Sequence, residues 1–350
     1  MTRGVALLGL GYVLSQFFRA FLAVLSPSLR VDLGATPEDL AFASGLWFFS
    51  FAAMQLPVGW ALDTVGPRRT AASLLLVGGG GGAALFAVAT QPLHINLAMV
   101  LIGIGCAPVL MGAYYIFARE FAPSRFVVLA SVMVGIGTLG NLVASYPMAI
   151  AAETIGWRAS LWGLCAITTL TAIGIWSVVR DPATPEGEQR GSLLGVFKIK
   201  ALWFIFPIMS VSYAQVGALR GLWIGPYFED VFAANAHQIG WATLLMGIAM
   251  VAGSLAYGPL DRVIGSTKWV IVGGTALNLA ALVALMLFPD SGIILATALM
   301  AAVGFFGATY AVIIAHGRSF MPPQLVGRGM TLLNLCSIGG VGVAQFLSGR

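Results

Sequence analysis

The sequence predicts an all-α membrane protein of about eleven transmembrane helices. Three observations predict it. Only 9% of the 350 residues are charged while 59% are hydrophobic, the apolar residues fall into long runs, and the basic residues gather in alternate loops. A soluble domain carries about 25% charged residues. A water-facing surface cannot be built from so few charges, so most of this surface must meet lipid.

Crossing the hydrocarbon core takes about 20 apolar residues as helix. Backbone groups in lipid must bond internally, which makes these runs helices and not open strands. The runs place helices at 4–28, 39–62, 70–90, 94–118, 126–151, 157–179, 201–226, 237–260, 268–288, 292–315 and 328–349. The first run follows Met1-Thr2-Arg3 directly. It is too long for a signal-peptide core and lacks a clear cleavage site, so it is read as a retained helix.

The Lys and Arg residues set the orientation. With the N-terminus in the cytoplasm, that side holds Arg3, Arg68, Arg69, Arg119, Arg125, Arg180, Arg190, Lys198, Lys200, Arg262, Lys268, Arg318 and Arg328. The outer side holds only Arg30, Arg158 and Arg350. The net charge of +5 thus belongs to membrane topology rather than to a nucleic-acid partner. The expected location is the cell (inner) membrane. Cys106, Cys165 and Cys336 lie far apart inside apolar runs, without metal or redox spacing, and are read as small core residues.

One long polar segment, about Arg180 to Lys200, is rich in Pro, Gly and charge and reads as a linker. The expected organisation is an N-terminal six-helix bundle over 1–180, a cytoplasmic linker over 181–200 and a C-terminal bundle over 201–350. The two halves repeat each other. Tyr12 precedes Arg19 by seven residues, and Tyr213 precedes Arg220 by seven, in each case two helical turns apart on one face. Asp32 and Asp63 are 31 residues apart, and so are Asp230 and Asp261. The loop after the second helix reads Gly59-Trp-Ala-Leu-Asp63-Thr-Val-Gly66-Pro-Arg68-Arg69. The one after the eighth reads Gly258-Pro-Leu-Asp261-Arg262-Val-Ile-Gly265.

The segment Gly59 to Arg69 resembles the signature loop of the major facilitator superfamily: a glycine, an aspartate four residues on, a glycine three further, then basic residues. The resemblance covers the whole chain through helix count, central linker and duplicated loop. It implies two pseudo-symmetric six-helix bundles around a cavity that opens to alternate sides, and hence secondary transport of a small solute. The chain departs from the family pattern in places. Thr64 and Pro67 stand where basic residues are usual. The family's arginine in the fourth helix is absent from Met99 to Gly105, and Asn141 follows Gly140 where drug antiporters carry Gly-Pro. Both of these absences weaken a proton-coupled drug-efflux reading. The family has twelve helices and this chain stops where the eleventh ends. A truncated second bundle of five helices is therefore expected.

Arg19 and Arg220 are the most informative residues. A charge near the bilayer centre costs about 2.5–3.5 kcal/mol on insertion scales. All thirteen carboxylates fall in loops or at helix ends, so none remains in mid-membrane to pair with either arginine. A net positive, partly desolvated cavity favours an anion, and guanidinium forks hold phosphate or carboxylate bidentately. The expected cargo is a small organic anion bound between Arg19 and Arg220, with Tyr12, Gln16, Tyr213 and Gln215 adding hydrogen bonds. Organophosphate antiporters of the superfamily are similar in placing one arginine in helix 1 and one in helix 7. The plainer reading has each arginine bond backbone carbonyls or snorkel to an interface. Two other functions stay open: an efflux permease for a neutral or cationic compound, and a membrane sensor without flux.

By the same resemblance Asp63, Gly66, Arg68 and Arg69 form a conformational latch, with Gly59 before them and Asp261 as the repeat's counterpart. Gly66 allows the tight turn. Asp63 can accept hydrogen bonds from a neighbouring helix N-terminus or pair with an arginine. Five consecutive glycines, Gly78 to Gly82, lack the Lys-Ser/Thr of a phosphate loop and are read as close helix packing. Tyr114, Tyr115, Asn141, Asn278, Tyr310 and Asn334 are polar points that line a cavity or bond between helices. Trp47 and Trp223 are cavity or interface aromatics, and Pro27, Pro108, Pro147, Pro207 and Pro226 are expected to bend helices. His94, His237 and His316 lie near helix ends. No catalytic, metal or nucleotide motif appears, so no enzyme activity, cofactor or metal is expected. The expected protein is a monomer in the lipid bilayer. It takes a small-molecule substrate, with a coupling proton or a counter-anion left open, and no nucleic acid.

Overall fold

The computed structural model describes residues 2–144, 146–183, 193–234 and 236–348. Most of the expected linker with Arg190, and Arg350, lie outside the described residues, as do the side chains of Pro27, Pro226 and His237. Ten helical stretches among the described residues are long and apolar enough to cross a membrane, and they coincide with the first ten predicted spans. The eleventh span is also helical, Val326–Ser348, without being one of those ten. The chain is a multi-pass, all-α membrane protein. Phe204, Met286 and Ile294 are each 80% exposed or more. Apolar area in water costs about 25 cal/mol per Å², so such faces belong against lipid.

The helices are α1 (Thr2–Leu33), α2 (Pro37–Ala53, continued by Gln55–Thr64) and α3 (Pro67–Leu74, a π turn at Leu75–Gly80, then Gly81–Ala87). Next come α4 (Pro92–Glu120), α5 (Pro123–Val143, then Tyr146–Thr154) and α6 (Trp157–Val178). A short helix, Leu193–Phe197, precedes α7, which runs through Lys200–Ser212, Ala214–Ala218, a π turn at Leu219–Trp223 and Ile224–Phe232. The rest are α8 (Ala236–Ile264), α9 (Thr267–Leu287), α10 (Ile293–Phe306, then Tyr310–Arg318) and α11 (Val326–Ser348).

Local chemistry sets the helix ends. Thr36 and Asp39 form a capping box at the start of α2, with the Asp39 N–H donating to Thr36 Oγ1 at 3.2 Å and the Thr36 N–H donating to Asp39 Oδ2 at 2.9 Å. Such caps satisfy donors that the first helical turn leaves open. Gly66 has φ +98°, a conformation that side chains rarely adopt, and Pro67 then opens α3 at the position where a missing N–H costs nothing. At the opposite end of α3, Arg158 Nη1 donates to the carbonyls of Ala87 and Ala89 at 2.9 and 2.8 Å. Beside it the Trp157 indole N–H donates to Asp32 Oδ2 at 2.7 Å.

Two compact units emerge. One comprises Met1–Glu120, Ile136–Leu193 and Pro322–Leu332; the other comprises Phe121–Gly135, Leu194–Met321 and Leu333–Arg350. Each unit therefore draws a few turns from a helix whose remainder belongs to the other: α5 as far as Gly135, and α11 as far as Leu332.

In the first unit the glycine run packs as a seam. A Cβ on Gly78 would meet Leu101 O at 2.5 Å and Gly105 N at 2.6 Å, and one on Gly82 would meet Ile102 Cγ1 at 2.6 Å. Gly105 faces Gly78 and Gly79 in return, so α3 and α4 touch backbone to backbone. Small residues permit this approach in lipid, where packing replaces the hydrophobic effect between helices. In the second unit Phe228, Met246, Met300 and Val303 form the centre of an apolar core. Tyr310 there donates to Asn334 Oδ1 at 2.8 Å, an interhelical bond between two of the polar points in the sequence.

Candidate functional site

Arg19 sits in an unbroken stretch of α1, so Tyr12, Gln16 and Arg19 share one face at helical spacing. Gln16 Nε2 donates to Tyr12 Oη at 2.8 Å. The Arg19 guanidinium carbon stands 5.1 Å from the Trp47 ring centroid and 5.7 Å from those of Phe48 and Phe51. Trp47 and Phe51 stack on each other, centroids 5.0 Å apart and planes 18° from parallel. Gly103 of α4 permits this arrangement, because a Cβ there would strike Ser50 Oγ and the Trp47 carbonyl. Cation–π contact contributes about 0.5–2 kcal/mol, which offsets part of the insertion cost of Arg19. Among the described residues, Arg19 Nε, Trp47 Nε1 and Gln16 Oε1 are enclosed and have no hydrogen-bond partner.

The second unit does not repeat this geometry. α7 breaks at Tyr213 and passes through a π turn at Leu219–Trp223. A π turn widens the helix by one residue, so the Tyr213-to-Arg220 interval no longer spans two regular α turns. The unbroken α-helical spacing that carries Tyr12 and Arg19 in α1 is therefore not repeated in the backbone of α7. Gln215 Nε2 donates to the Ser212 carbonyl at 3.0 Å, which covers a carbonyl near the break. Arg220 Nη2 lies 3.5 Å from where a Cβ of Gly247 would stand, which places its guanidinium against α8.

At the Asp63 end of α2, the aspartate accepts N–H bonds from Gly327 at 3.0 Å and from Arg328 at 3.2 Å, the first turn of α11. Arg328 Nη1 is 3.6 Å from Asp63 Oδ2, with side chains 8% and 5% exposed. A carboxylate at a helix N-terminus meets both open N–H groups and the positive end of the helix dipole. Two glycines make room. A Cβ on Gly327 would press on Asp63 Oδ1 at 2.5 Å, and one on Gly59 would meet Thr331 Oγ1 and Arg328 Cα. Arg119 Nη2 adds a bond to the Pro323 carbonyl at 2.9 Å.

Asp181 completes the loop. Its Oδ1 accepts from the Arg68 N–H at 2.7 Å, and its Oδ2 is 3.9 Å from Arg68 Nε. It also lies where a side chain on Gly66 would go. Gly66 is thus required twice, for its φ and for its missing Cβ. Arg69 is exposed. Sequence reasoning missed Asp181, Gly327, Arg328 and Arg119 as partners of this loop. Their only visible signals were linker composition and a count of basic residues.

Asp261 ends α8 as Asp63 ends α2, but its surroundings differ. It is 8% exposed, and its Oδ1 has no hydrogen-bond partner among the described residues. It borders a cavity of about 410 Å³ with Ser124, Arg262, His316 and Ser319. A Cβ on Gly258 would stand 3.0 Å from Val128 Cα, so α8 meets α5 closely, as α2 meets α11.

The family model described as Major Facilitator Superfamily matches residues 8–224, more than half of the chain. An uncharacterized transporter, YybO of Bacillus subtilis (strain 168), is 25% identical over 190 residues. The matched stretch is 54% of this chain and 43% of that protein, so it spans less than half of the relative's length. Among solved structures, the transporter FucP in the outward conformation superposes with a TM-score of 0.78 at 14% identity, covering 99% of this chain and 91% of FucP. A second structure, described as the E. coli fucose:proton symporter FucP, gives 0.77 at 15% identity, covering 99% and 90%. The proton:xylose symporter XylE, bound to 6-bromo-6-deoxy-D-glucose, gives 0.73 at 15% identity, covering 99% and 88%. At these identities the structural likeness speaks for the fold alone.

Proposed function

The chain belongs to the Major Facilitator Superfamily, and from that premise we propose that it is a secondary transporter of a small organic anion, working by alternating access. The observation that carries the anion reading is Arg19. It lies in a membrane-length helix with aromatic neighbours, and its Nε–H lacks an acceptor among the described residues. An enclosed charged donor left unpaired costs about 1–3 kcal/mol or more. A bound anion removes that cost. In this reading Arg220 supplies a second positive charge, and Tyr12, Gln16, Tyr213 and Gln215 orient the cargo.

The latch in this proposal is Asp63 on the first turn of α11, with Gly59, Gly66, Arg68 and Arg69 shaping the loop and Asp261 as its counterpart at α5. Transport then requires the first turns of α11 to leave α2. In the proposed orientation the N-terminus and the Asp63 loop face the cytoplasm, and the protein resides in the inner membrane. A proton or a counter-anion provides the coupling.

The test is flux in proteoliposomes loaded with a panel of labelled organic anions. Arg19→Gln and Arg220→Gln are each expected to abolish uptake while the purified variants keep the wild-type size-exclusion profile. Normal uptake by Arg19→Gln sinks the anion reading.

A further inference from the structure

The approach to α7 takes no part in the transport reading above. We propose that Lys198 and Lys200, with the exposed apolar residues on either side of them, form a surface anchor that binds anionic phospholipid headgroups. This holds whatever the cargo is.

The local backbone fixes the arrangement. After the short helix Leu193–Phe197, the Lys198 and Ile199 N–H groups donate to the Gly195 and Val196 carbonyls at 3.3 and 3.1 Å. The Trp203 indole N–H donates to the Phe197 carbonyl at 2.8 Å, which ties the short helix to the first turn of α7. Val196 is buried, whereas Leu194 is 70% exposed and Phe197 38%. α7 continues the pattern. Leu202, Ile205 and Met209 turn inward at helical spacing, while Trp203 and Phe204 are 56% and 83% exposed.

Lys198 and Lys200 stand between these apolar residues, and both are exposed. No Asp or Glu occurs from Leu194 to Phe228, and neither lysine has an ion-pair partner among the described residues. The membrane-length stretch of α7 begins at Lys200, so the short helix lies where hydrocarbon gives way to headgroups. Water does not suit Leu194 and Phe197, and hydrocarbon does not suit two ammonium groups. The interface suits both: apolar side chains dip below the headgroups while lysines reach out to them. Trp favours the same depth. An anionic headgroup then supplies the counter-charge that the protein does not. Each lysine at such a surface favours a monovalent anionic headgroup by about fivefold, equivalent to about 1 kcal/mol.

The experiment places a small environment-sensitive fluorophore at Leu194→Cys, in the full chain with Cys106, Cys165 and Cys336 replaced by Ser. The protein is reconstituted in two nanodiscs of identical phosphatidylcholine and phosphatidylglycerol content, with brominated acyl chains on one lipid or on the other. Random mixing quenches in proportion to the bromine present. The expected result is quenching by brominated phosphatidylglycerol at least about twofold beyond that proportion. This preference is expected to vanish in Lys198→Gln/Lys200→Gln, and to shrink at high ionic strength in the chain that keeps both lysines. Proportionate quenching by both lipids overturns the proposal. Absence of quenching by either lipid overturns it too, because the face would then meet water or another protein. A preference that survives the loss of both lysines assigns the binding elsewhere and overturns it as well.

Discussion

Asp63 shows what a single carboxylate does when a helix starts opposite it. Two backbone N–H groups and one guanidinium converge on it, and all three partners lie in the first turn of α11. Losing one partner of a buried charge pair costs about 3–5 kcal/mol, because the other charge is left unpaired. Asn at this position keeps the shape, retains one acceptor and loses the charge. Asp63→Asn is therefore expected to weaken the hold of α2 on α11 far more than it alters the region around Arg19. Because each cycle must re-form this contact, initial-rate measurements should show a lower maximal rate, by about tenfold for each 1.4 kcal/mol added to the returning step, with little change in half-saturating concentration. A variant with unchanged maximal rate and altered affinity would remove Asp63 from the latch. The contrast with Asp261 is informative at the same scale. The repeat places both aspartates at helix ends, yet one has a complete set of donors and the other borders a cavity with Oδ1 unpartnered among the described residues.

At the scale of the element, α3 and α4 depend on a seam of glycine. Gly105 meets the backbone of Gly78 and Gly79, and backbone cannot swing aside as a side chain can. Overpacking a close contact costs about 1–3 kcal/mol, occasionally more, and the upper end applies where both sides are backbone. Gly105→Val is expected to lower the melting temperature markedly in detergent. Gly81 points away from the seam, with nothing within 4 Å of where its Cβ would stand. Gly81→Ala is expected to leave the melting temperature unchanged or raised, since Ala gains about 0.5–1 kcal/mol over Gly inside a helix. Equal effects of the two substitutions would show that propensity and not packing governs the run. The π turn of α7 belongs to this scale too. It interrupts the regular α backbone that α1 keeps through Tyr12 and Arg19, without a visible mark in the residue spacing.

Across the molecule as a whole, the distribution of Lys and Arg is the basis of the proposed orientation. In a background with Cys106, Cys165 and Cys336 replaced by Ser, cysteines at Glu120 and Ser291 report opposite sides. Both positions are exposed. A membrane-impermeant maleimide applied to intact cells is expected to label Ser291→Cys and to leave Glu120→Cys unlabelled until the membrane is opened. The reverse pattern would invert the proposed topology. Chain order also fails to predict how the compact units form. The first unit takes α11 as far as Leu332, and the second takes α5 as far as Gly135.

The ten membrane-length helices and the glycine-Asp-glycine loop were legible in the residues alone. Hydropathy, turn chemistry and charge are local properties, carried by stretches of about 20 residues or fewer. The partners were not legible. Asp181 lies 113 positions from Arg68, and Gly327 lies 264 positions from Asp63. No local rule relates residues so distant; only packed helices bring them within hydrogen-bond reach. The same holds for the aromatic surround of Arg19. Residue order is enough to commit this chain to lipid and to fix where its few charges fall along it. What those charges touch was settled by folding, because contacts between helices depend on which faces meet, and no single stretch of chain carries that information.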